Sequence, residues 1–181
     1  MSKEFAARRL DVKAFAEQGA HLHGEKPLRD HERLMAETGG RGADSAVHWS
    51  VTGELRNPRH LHPEIWLHLQ SDAILSLTCQ RCLLPVDVPL SVDRSFRFVQ
   101  DEELAAAEDE QAEEDVLAIS RSFDLVELVE DELLMELPLA PRHEACPEPV
   151  KMTAMDQGFD EASSRKENPF ALLGRLKSGK P

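Results

Sequence analysis

Period-two alternation between residues 48 and 98 constrains this chain more than any other feature. From His48 to Arg56, Trp49, Val51, Gly53 and Leu55 share one face, and Ser50, Thr52, Glu54 and Arg56 the other. A half-buried strand requires that pattern. Asn57-Pro58 interrupts it with turn chemistry. Ile65, Leu67 and Leu69 then face one way, Ser71-Asp72 offers a turn, and Ala73, Leu75, Leu77 and Cys79 face together. After Pro85, the positions Val86, Val88, Leu90, Val92, Phe96 and Phe98 keep one parity over thirteen residues. Arg94 alone breaks that apolar face, and Pro89 marks an edge or a bulge. Four or five strands joined by short turns predict a small antiparallel β-sheet or a partial barrel. Its apolar face needs a cover.

Helices supply the cover, which makes the fold class α+β. Asp124-Leu-Val-Glu127 has the logic of a capping box, with Asp124 accepting early backbone N–H bonds and Glu127 reaching back. Leu125, Leu128, Val129, Leu133, Met135 and Leu137 follow at helical spacing, and Pro138 and Pro141 stop the run. A helix is therefore expected over 124–137. Its acids read as a solvated face; Glu127, Glu130 and Asp131 suit the positive end of the helix dipole. Nearer the N-terminus, Asp11–Gln18 and Asp30–Glu37 read as two short helices separated by Gly24 and Pro27.

Charge is concentrated in one place. Of 34 acids, nine lie in residues 101–115, which hold no Lys or Arg. The whole chain carries −13, while the remainder has 25 acids against 21 bases, a net of −4. Such a run favours a flexible, solvated loop; a sharper reading makes it a decoy for nucleic acid beside a basic surface. The overall sign opposes tight autonomous RNA binding, which depends on cations meeting phosphates. Two Trp, seven Phe and no Tyr leave little base-stacking surface. The longest uninterrupted apolar runs, such as Val116–Ile119, are four residues long. A membrane helix needs about 20, so no membrane partner is expected. Met1–Leu10 lacks the apolar stretch of a secretory signal. Three cysteines make no disulfide framework, and the expected compartment is the reducing cytoplasm.

The cysteines carry the most chemistry. Cys79-Gln80-Arg81-Cys82 ends a strand, and His143-Glu144-Ala145-Cys146 repeats the i, i+3 spacing just after the long helix. Cys79, Cys82, His143 and Cys146 together make a three-thiolate, one-imidazole set, suited to structural zinc and leaving no open coordination position. Reduced structural thiols and a redox dithiol are the other readings, although no α/β pattern surrounds the motif. The pairs His21-x-His23 and His60-x-His62 could each bridge a metal, but lack a visible third ligand and read as exposed histidines.

Domain organisation follows: a single α+β domain over 1–146, a polar linker over 147–167, and a short helix over 168–178. Asn168 caps that helix and Pro169 begins it; Phe170, Leu173 and Leu176 form a small apolar stripe. So short a helix is marginal alone in water, and a basic end after a linker favours docking on a partner.

Three segments, Cys79-Gln-Arg-Cys82, Asp124–Pro138 with Pro141 and Cys146, and Asn168-Pro-Phe-Ala-Leu-Leu, occur in an order that resembles the YceD family, the large ribosomal RNA subunit accumulation proteins of bacteria and plastids. The resemblance implies a cytoplasmic role in synthesis, processing or stability of large-subunit ribosomal RNA, without known enzymatic activity. The acidic balance favours an indirect route, through a ribosomal protein or rRNA-processing factor anchored by the Phe170 stripe. Direct contact with large-subunit rRNA would use Arg56, Arg59 and Arg81. The rival from another class is a zinc- or thiol-dependent enzyme built on Cys79, Cys82 and His143.

Overall fold

The computed structural model of the protein describes residues 5–61 and 63–148. The chain divides into two compact units, Met1–Cys146 and Pro147–Pro181. The expected helix over 168–178 and nearly all of the expected linker lie outside the described residues, as does His62.

Among the described residues five strands form one sheet: β1 (His21–Pro27), β2 (Ala46–Arg56), β3 (Glu64–Thr78), β4 (Pro85–Val99) and β5 (Asp115–Ala118), neighbours in chain order. The first four run antiparallel. β5 joins β4 in parallel, pairing only with Phe96–Val99. The sheet is therefore open and mixed, and it does not close into a barrel. The helices are α1 (Val12–Glu17), α2 (Glu32–Thr38), α3 (Glu102–Asp109) and α4 (Leu125–Met135). Among the described residues none is long and apolar enough to cross a membrane.

Strand parity places the core. Val47, Val51, Leu67, Leu69, Leu75, Val92, Phe96 and Phe98 point to one face, where Val12 and Phe15 of α1, Leu34 of α2, and Leu125, Val129 and Leu133 of α4 pack against them. Asp124 caps α4 by accepting from the Val126 and Glu127 N–H groups at 3.0 and 3.1 Å. Met135, expected on the apolar face, is exposed because α4 ends there.

Four further expectations are corrected. Ser71-Asp72 is no turn: β3 runs unbroken through it. The Ser71 hydroxyl is buried and donates to the His48 carbonyl at 2.8 Å, which lets a polar residue hold an inward position without a kink. The segment around Gly24, read as a separator, is the edge strand β1. Gly24 stands opposite Trp49, and a side chain there would meet the indole ring, so glycine is what permits the pairing. The acidic stretch 101–115 is largely ordered secondary structure. Asp101 caps α3 by accepting from the Leu104 N–H at 2.9 Å, Glu102 and Glu103 suit its positive end, and Ala105 is buried. Arg97 of β4 holds the stretch to the sheet by pairing with Glu108 and with Glu114 (2.7 Å). Finally, the acids of α4 are not simply solvated. Glu132 is buried, and Glu130 reaches α2, accepting from the Arg33 and Leu34 N–H groups at 2.7 and 3.2 Å.

Candidate metal centre

β3 ends at Thr78, so Cys79 leaves the sheet already buried on its inner parity. The Cys79 N–H donates to the Leu84 carbonyl and the Leu83 N–H donates to the Cys79 carbonyl, both at 2.9 Å, closing a tight turn. Leu83 pays for closure with a left-handed backbone, φ +63°. The turn brings Cys79 and Cys82 to one side.

The second pair arrives from the far end of α4. Pro138 and Pro141 end helical structure, and the Gln80 N–H donates to the Pro141 carbonyl at 2.8 Å, laying the returning chain along the turn. His143 Nε2 lies 3.0 Å from the Pro85 carbonyl oxygen. A carbonyl only accepts, so the ring proton sits on Nε2 and the Nδ1 lone pair faces Cys82 Sγ at 3.4 Å. Arg81 Nε donates to Cys146 Sγ at 3.1 Å. The Sγ atoms of Cys79, Cys82 and Cys146 and a ring nitrogen of His143 all lie within 4.8 Å of one another. Ligands about 2.0–2.3 Å from a tetrahedral zinc stand about 3.3–3.8 Å apart, so a modest contraction would complete the shell.

The local field prepares one thiolate. Burial pushes the Cys79 thiol up, but the backbone N–H groups of Cys82, His143 and Arg81 and the His143 ring outweigh it and bring it down to about 5. Cys82 is pushed up by burial, against the Leu84 N–H, with Cys146 and Cys79 adding to the rise. All three cysteines are free. Soft donors, an oriented imidazole and an N–H-stabilised thiolate fit a zinc ion.

Among the described residues this is the only group of three or more His, Cys, Asp or Glu side chains close enough to share a cation. His21 and His23 do lie on one face of β1, with ring centroids 5.6 Å apart, but no third donor joins them. His60 lies in the turn after β2.

The three arginines singled out for RNA are not gathered together. Arg56 lies over the Trp66 ring at 4.0 Å and donates to Glu54, while Arg59 is exposed in the following turn. Arg81 sits at the other end of the fifteen-residue β3, a strand length of about 50 Å, and is engaged by the cysteine cluster. Sequence reasoning did not find this second role for Arg81; its position between the two cysteines was the available signal. The tail residues Asn168, Pro169, Phe170, Leu173 and Leu176 lie outside the described residues.

Residues 67–177 match the family model of "Large ribosomal RNA subunit accumulation protein YceD". A curated protein of that same description from Haemophilus influenzae is 34% identical over 163 residues, covering 83% of this chain and 92% of the relative. No solved structure gives a significant match. The family match includes both halves of the donor set and the α4 segment between them, and with the extent of the likeness it establishes that the chain belongs to the YceD family of large ribosomal RNA subunit accumulation proteins.

Proposed function

We propose that this protein supports the accumulation of large-subunit ribosomal RNA as a non-enzymatic factor in the cytoplasm, working through contact surfaces. The observation that carries the reading is the membership in the YceD family, whose curated relative is named for that role. The reading has the chain contact a ribosomal protein or an rRNA-processing factor, with Asn168, Pro169, Phe170, Leu173 and Leu176 as the anchoring segment. A net charge of −13 supports a basic protein partner over naked RNA. Arg56 and Arg81 are already engaged within the fold, which leaves exposed Arg59 as the freest of the three arginines for phosphate.

In this reading Cys79, Cys82, His143 and Cys146 hold a structural zinc. The ion would supply cross-linking energy between the β3–β4 turn and the segment after α4, and a four-donor shell has no open position for substrate. Against an enzyme, the Cys79 thiolate is fully buried; a nucleophile needs access as well as a low pKa.

Loss of the gene should lower mature large-subunit RNA or raise its precursors, read by comparing both species in deleted and complemented cells. Unchanged levels would sink the role. Association with a ribosomal or processing protein should survive nuclease treatment, whereas a direct RNA reader would lose its cargo and bind less well in added salt. Elemental analysis should find one zinc per chain, and chelation should lower the unfolding temperature, because metal binding energy is also folding energy.

A further inference from the structure

We propose that Arg81 is the positioning residue of the cysteine–histidine cluster: it clamps the returning segment His143–Cys146 onto the Cys79–Cys82 turn and supplies the counter-charge that a three-thiolate shell needs. The inference rests on the zinc reading above.

Its basis is one guanidinium with three partners. Arg81 Nε donates to Cys146 Sγ at 3.1 Å, and Nη2 donates to the carbonyls of His143 at 2.6 Å and Glu144 at 3.3 Å. A residue lying between two donors thus grips the stretch that carries the other two, which lies more than 60 residues away in the chain. That stretch belongs to no helix or strand, so side-chain and turn contacts must place it. His143 is also tied by its ring, Nε2 to the Pro85 carbonyl and Nδ1 to Cys82, and by its backbone N–H, which faces Cys79. Those ties act on the histidine; the Cys146 sulfur, beside Cys82, takes its cationic donor from Arg81.

Charge argues the same way. Three thiolates around a dication leave one net negative charge, and a hydrogen bond from a cationic donor to a thiolate is stronger than one from a neutral donor. The planar fork reaches a sulfur and two carbonyls at once; a lysine ammonium on a flexible stem supplies the charge without that geometry. Partners of this kind that orient metal ligands typically change metal affinity on the order of 10–100-fold when removed.

The test uses the full chain: wild type, Arg81→Gln, Arg81→Lys, and Arg142→Gln as a nearby exposed control. Zinc affinity is measured by competition with a chromophoric chelator, and cobalt(II) is substituted to read its thiolate charge-transfer band. Arg81→Gln should bind zinc on the order of 10–100-fold more weakly and shift the cobalt band, because Cys146 loses its N–H donor. Arg81→Lys should recover only part of the affinity, and Arg142→Gln should match wild type. Wild-type affinity and an unshifted band in Arg81→Gln would overturn the clamp while leaving the zinc site standing. Full recovery in Arg81→Lys would overturn the geometric part, since charge alone would then suffice. A wild-type chain that takes up neither metal would defeat the zinc reading itself, and this inference with it.

Discussion

Arg94 of β4 and Glu132 of α4 meet at 3.3 Å across the interface between the sheet and its covering helix. Each is the charged residue that interrupts the apolar face of its own element, and each is the other's partner. Glu132 is 6% exposed. Burial raises its carboxyl above the ordinary 4.5, and Arg94 draws it partly back.

Replacing Arg94 by Leu should therefore cost about 2 kcal/mol at neutral pH, the scale of a partly buried charge losing its partner. A folded pKa above the unfolded one means the favourable protonated contribution is complete below about 4.5 and lost as pH rises through the raised value. The variant's deficit should accordingly shrink in acid. Urea unfolding at mildly acidic and neutral pH reads this directly, and Arg94→Leu/Glu132→Leu should recover most of the stability.

His31 makes the opposite pH prediction. It is fully buried, and neither ring nitrogen has a hydrogen-bond partner among the described residues. Burial lowers its pKa below 6.5, while Glu130 and Asp30 pull it upward. The unfolded chain takes the proton first, so this contribution is complete above about 6.5 and lost as pH falls through the depressed folded value. His31→Leu should flatten the stability profile across that window. A profile with the wild-type slope would remove His31 as its cause.

Gly53 of β2 lies under α1. A Cβ there would stand 2.7 Å from Phe15 Cδ1 and 2.9 Å from the Ala16 backbone. Because backbone cannot yield as a side-chain tip can, Gly53→Ala should destabilise by about 1–3 kcal/mol. Thermal unfolding checks it; an unchanged midpoint would mean α1 can lift from the sheet.

Leu83 holds φ +63° and is 74% exposed. Leu83→Gly relieves roughly 1 kcal/mol of left-handed strain and surrenders no core packing. The unfolding midpoint should rise slightly. A fall would show that the exposed leucine makes a contact worth more than the strain.

Legibility tracked how local each signal was. The inward parity of Trp49, Val51, Leu67, Leu75, Leu90 and Phe96 is a property of an extended backbone, so it could be read directly and it located the core. The same parity runs through Ser71 and joins the two halves of β3; a polar residue at an inward position looks like a break until its hydroxyl finds the His48 carbonyl. β1 escaped because Gly24 replaces an apolar residue exactly where Trp49 needs room. The acidic stretch escaped because its charge outweighed Leu104-Ala-Ala-Ala107 and the Arg97 pairs that hold it lie outside it.

Residue types and spacing alone determined that this chain makes an α+β sheet with a helix after Asp124, and that two cysteine-bearing motifs carry soft donors. Only the tertiary structure decided that those motifs meet, that Arg81 joins them, and that Arg94 answers Glu132. Alternation and capping act within a few residues, where backbone geometry limits the options. Contacts across 38 residues, as between Arg94 and Glu132, or 61, as between Cys82 and His143, exist only after the sheet and α4 have closed the intervening chain into one packing arrangement.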